Sequence, residues 1–80
     1  MSEALVADGF DEAIIGMARQ FNQTLVVYDE DKCLSILMER DGMTEEEAIE
    51  FFEFNVVGAY VGGGTPVYVR VGSKPEDVLD

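Results

Sequence analysis

Residues 44–59 read TEEEAIEFFEFNVVGA. Thr44 and Glu47 stand three apart in the T-x-x-E pattern, in which side chain and backbone cap each other reciprocally at a helix start. Glu45, Glu46 and Glu47 follow in the first turn, where the helix dipole favours negative charge. The pattern predicts a helix to Val57 or Ala59, ended by the glycines that follow. Ile49, Phe52, Val56 and Ala59 would form its apolar stripe, and Glu46, Glu50 and Glu53 an acidic one. Phe51, Phe54 and Val57 fall largely outside the apolar stripe. A helix apolar around most of its girth is buried on more than one side. With so little chain to cover residues 51–60, the sequence predicts self-association, a symmetric dimer with this helix at the interface.

Two further elements precede that helix. TLVVY at 24–28 is a short β-branched and aromatic run, read as a strand covered on both faces. Asp29 then serves as N-cap for a helix over 30–40. Tyr28 and Cys33 occupy the positions of a hydrophobic staple, and Cys33, Leu34, Leu37 and Met38 form the apolar stripe. Gly42 suits the left-handed position past the helix end. Upstream, Phe10, Ala13, Ile14 and Met17 recur at helical spacing, so a first helix is expected over about 9–20. Acids at its start and Arg19 at its end agree with the dipole, although Gly16 weakens it by about 1 kcal/mol.

After a Gly62-Gly63-Gly64-Thr65-Pro66 turn, VYVRV at 67–71 alternates as a strand. Its valines would face the core, with Tyr68 and Arg70 outward. The expected architecture is a single α+β domain over residues 1–80, in the order α-β-α-α-β, with frayed ends at 1–7 and 73–80. Two strands make a marginal sheet, which pairing with a second chain would complete or cover.

Composition bounds the function. The chain of 80 residues carries seventeen Asp and Glu against five Lys and Arg, has no His, and has a formal charge of −12. Nucleic-acid binding needs a basic footprint that is missing here. Without His, the commonest general base and metal ligand are absent. One Cys excludes an internal disulfide or a Cys-based zinc site within the chain. A hydrophobic share of 48% is too high for an acidic disordered segment. No apolar run approaches the roughly 20 residues of a membrane span, and the N-terminal residues lack a basic leader region. The expectation is a soluble intracellular protein that favours basic partners.

No constellation suggests catalysis, a metal or a cofactor. Asp29-Glu30-Asp31 begins like a calcium loop, but Leu34 stands where that loop needs Gly, and helix capping explains the acids. Cys33 lies on an apolar face with no His to activate it. Glu46, Glu50 and Glu53, with Glu39, Asp41 and Glu45 nearby, could imitate a row of phosphates toward a basic groove, with Phe51 and Phe54 as anchors. The simpler reading of that stripe is a solvated helix face. Gly62, Gly63, Gly64 and Thr65 could cradle a phosphate with Tyr68 and Arg70 as stacking face and cation. A plain turn is the simpler reading, because phosphate loops run from strand into helix.

DEAIIG at 11–16, LVVYD at 25–29 and LMERDGMTEEEAIEFFEFNVVGAYVGGGTPVYV at 37–69 together resemble a group of small uncharacterised proteins of tailed phages and prophages. The likeness spans residues 8–71. It implies phage origin and action in the host bacterial cytoplasm, and it carries no reaction and no functional residues. Small acidic phage proteins often inhibit host defence, which is an argument by analogy. The leading expectation is a non-enzymatic accessory protein that binds and blocks a host defence protein through its acidic surface. One alternative is an oligomeric sponge for a nucleotide second messenger of immunity, held at the glycine loop. Another is a structural phage protein.

Overall fold

The computed structural model describes residues 4–59 and 62–72. A three-stranded sheet carries two helices in the order β1 (Ile14–Gln20), β2 (Gln23–Asp29), α1 (Glu30–Asp41), α2 (Glu45–Phe51) and β3 (Val67–Val69). The helix α2 runs on as a widened π turn over Phe52–Val57. The chain is thus α+β, with β2 central between antiparallel β1 and parallel β3.

The first element departs from expectation. Only Asp11–Ala13 winds, as a single 3-10 turn, and residues 14–20 form a strand. Phe10 and Ala13 are buried as expected, but not on a helix of that length. Ile14 and Met17 pair instead with Tyr28 and Val26 across a hairpin. Ladder pairing with β2 outweighs a helix already weakened by Gly16 and two β-branched isoleucines. Among the described residues, the sheet therefore has three strands within one chain. Residues 1–3 and 73–80, expected to fray, lie outside the described residues. Residues 4–7 are tied down: Leu5 N donates to Gly64 O at 3.1 Å, and Ala7 N to the Tyr28 hydroxyl at 2.7 Å.

Local chemistry sets both helix starts. Asp29 accepts from Lys32 N at 3.3 Å. Thr44 and Glu47 complete the capping box, Thr44 N donating to Glu47 Oε1 at 2.9 Å and Glu47 N to Thr44 Oγ1 at 3.2 Å. Between the helices, Gly42 takes φ 69°, and Met43 N closes the turn on Leu37 O at 3.4 Å. Each such cap contributes about 1 kcal/mol.

The core gathers Phe10, Ala13, Val26, Tyr28, Cys33, Leu37, Ala48 and Phe52 between the helices and one sheet face. Burying a side chain as large as Leu37 or Phe52 stabilises by roughly 1.5–3 kcal/mol. Along α2 the buried positions are Ala48 and Phe52, with Val56 half-buried, whereas Ile49 is exposed. The expected stripe is thus displaced. Gly58 N reaches Glu53 O, five residues back, at 3.1 Å, so inward positions follow an i, i+4 spacing through the wide turn.

On β3 the alternation is right and its parity inverted. Tyr68 pairs with Tyr28, and the two rings stack with centroids 5.5 Å apart. The Phe52 ring meets Tyr68 edge-on at 5.2 Å. Tyr68 therefore packs on the core, and its strand neighbours Val67 and Val69 take the opposite sheet face. Val71, expected inside, is exposed beyond the strand end.

Candidate functional site

The turn at Gly42 folds the end of α1 back beside the exposed flank of α2. Between them opens a cleft of about 520 Å3, lined by Asp41, Met43, Glu47, Glu50, Phe51 and Phe54 among others. Phe54 is 77% exposed, far above what a core aromatic shows. Two of the three carboxylates are held in place. Asp41 receives Arg40 Nε and Nη2, each at 3.0 Å, which keeps its carboxyl below the usual range. Glu47 is fixed by the capping box.

Arg40 does more than hold Asp41. Its Nη1 donates to Gly9 O at 2.7 Å, and its guanidinium sits 5.6 Å from the Phe10 ring centroid. The wall of the cleft is thereby anchored to the segment leading into β1. The cleft offers carboxylates beside phenyl rings, a setting suited to a Lys or Arg side chain with its apolar stem.

Of the residues singled out from the sequence, Glu50, Phe51 and Phe54 meet in this cleft. Glu46 and Glu53 are exposed on the same helix and lie outside its lining. Met43 and Glu47 were missed as site residues, and Asp41 was read only as a neighbour of the acidic stripe. Gly42 as a chain reversal was the available signal, because it brings the residues beside it against the next helix.

The glycine-loop residues are engaged in separate local contacts. The Thr65 amide donates to Gly62 O at 3.1 Å and its hydroxyl to the same carbonyl, closing the turn. Gly64 is buried, and its carbonyl holds Leu5. Arg70 pairs with Glu30 at 3.1 Å. Tyr68 instead lines a smaller, more apolar hollow of about 200 Å3 with Val6, Phe10, Val56 and Pro66. Burial, then the neighbouring Cys33 and Tyr28, push the Tyr68 phenol up to about 12.

Cys33 is wholly buried. Burial, reinforced by Asp29 and Glu30, pushes its thiol up to about 11, so it is protonated at neutral pH and a poor nucleophile. Among the described residues, no three His, Cys, Asp or Glu side chains converge as a metal site, and no helix is long and apolar enough to cross a membrane. Comparison of the chain with protein-family models, with curated proteins and with solved structures returns no match.

Proposed function

We propose that this chain is a non-enzymatic binding protein that occupies a basic surface on its target, with the α2 flank as the contact. The observation that carries the reading is the cleft where exposed Phe51 and Phe54 adjoin Asp41, Glu47 and Glu50 on a chain of charge −12. The charge steers encounter with a cationic partner, and the aromatic anchors then supply residence time. The resemblance of residues 8–71 to phage proteins supports a host defence component as the target, in the bacterial cytoplasm.

Capture from a defended bacterial host, followed by mass spectrometry, identifies the target. Inhibition of that target by Glu46→Lys, Glu50→Lys and Glu53→Lys combined is expected to fall at least about tenfold, as fits loss of several steering and contact charges. Phe54→Ala is expected to shorten the complex lifetime with little change in association rate. Undiminished inhibition by the triple charge reversal would show that the acidic flank is not the contact.

A further inference from the structure

We propose that the outer edge of β1 is the docking surface for a second copy of this chain, joining two sheets edge to edge in antiparallel fashion. Three observations converge on this strand.

The first is its position. β1 ends the sheet, and among the described residues no strand pairs with its outer side. Such an edge presents a row of backbone donors and acceptors to any chain that approaches. The bulge between Ile14 and Gly16 leaves residues 17–20 in regular register with β2, and these give the straight part of the edge.

The second is what the strand exposes. Ile15 is 53% exposed, Met17 57%, and Phe21 at the hairpin tip wholly so. Phe21 also holds φ 56°, a left-handed conformation that a bulky aromatic adopts only at a cost. Neither the turn nor the core of the chain calls for a phenyl ring there.

The third is charge, and it chooses the occupant. No Asp or Glu occurs in residues 13–28, although the chain as a whole stands at −12. Two copies meeting through the α2 flank would set Glu46, Glu50 and Glu53 against their like. Copies meeting through β1 bring no carboxylate of the hairpin near another. A partner chosen for basic character would find no carboxylate on β1 and one like charge, Arg19. The self-association expected from the apolar residues of α2 therefore belongs to the hairpin, and the α2 flank is left open for a partner of opposite charge.

Light scattering coupled to size exclusion tests this on the full chain. The wild type is expected at twice the 8.8 kDa chain mass. Ile15→Lys with Met17→Lys should weaken association more than tenfold while leaving the far-ultraviolet dichroism unchanged, and Phe51→Ser with Phe54→Ser should leave the dimer intact. A wild type that stays single at about 1 mM, beyond the weakest useful affinity, overturns the proposal. So does a dimer that survives the two lysines but not the two serines. Should the lysine variant lose its fold, hydrogen exchange on the wild type decides. Amides of residues 17–20 become more protected as concentration rises if β1 pairs, and show no change if it does not. None of these readings involves the basic target, so the two proposals stand or fall separately.

Discussion

The helical half and the hairpin half of this molecule both leave large apolar side chains in water, yet their surroundings are opposite. Nine of the seventeen acids lie between Glu30 and Glu53, in the helical segment, and none lies in residues 13–28. Phe51 and Phe54 sit among carboxylates, whereas Ile15, Met17 and Phe21 have none of their own segment nearby. Exposed apolar area alone does not say what it will meet. Charge around it does, by excluding partners of like sign.

Within the helical half, the sharpest way to test the division between core and surface is a pair of changes two residues apart. Phe52 is buried against Tyr68, and Phe52→Ala is expected to cost about 3–5 kcal/mol. Phe54→Ala should stay within about 0.5 kcal/mol, because its ring stands in solvent. Denaturant midpoints measured at fixed m-value check both. Equal effects would mean that the outer flank of α2 is also core.

The seam between α1 and β3 answers to pH. Cys33 from α1 and Tyr68 from β3 are held neutral, at about 11 and about 12 against ordinary values of 9.0 and 10.0. Above pH 9 the unfolded chain gives up the thiol proton while the folded chain keeps it. Stability therefore falls as pH rises from about 9, by up to about 1.4 kcal/mol per pH unit for each group. The fall due to Cys33 ends near 11, and that due to Tyr68 starts near 10. Thermal melts from pH 8 to 11 should show a declining midpoint, and Cys33→Ala should delay its onset by about one pH unit. A midpoint flat to pH 11 would mean that the seam admits water.

The smallest effect isolates the start of α2. Thr44→Ala removes one hydrogen bond of the capping box and should cost about 1 kcal/mol, or roughly 4–8 °C in midpoint for a domain of this size. Because Glu47 also lines the cleft, the same change should loosen that wall without altering the hairpin.

Features decided by neighbouring residues were legible in the sequence. Asp29, Gly42, Thr44 and Glu47 act within five positions of themselves, and each occupies its expected place. Features decided by distant pairing were not. The spacing of Ile14 and Met17 suits a helix, and only the ladder with Tyr28 and Val26 makes it a strand. The hairpin turn at Phe21-Asn22 gives little warning, since Phe is an unusual residue at positive φ. For Tyr68, alternation was readable but register to β2 was not, and a slip of one position exchanges the two faces. Glu50, Phe51 and Phe54 could be named for the site because they share one helix flank. Asp41 and Met43 reach it only through the reversal at Gly42.

The parallel pairing of Val67 with Val27 has a kinetic consequence. The hairpin and the two helices form from contacts between near neighbours, whereas β3 must return across the whole helical segment to find β2. Closing so long a loop is slow relative to local structure formation, so β3 is expected to add last, with Tyr68 sealing the core as it arrives. Until then the inner strand lies bare along its second side, and a nascent chain has a brief interval in which another molecule's β3 could take the vacant place.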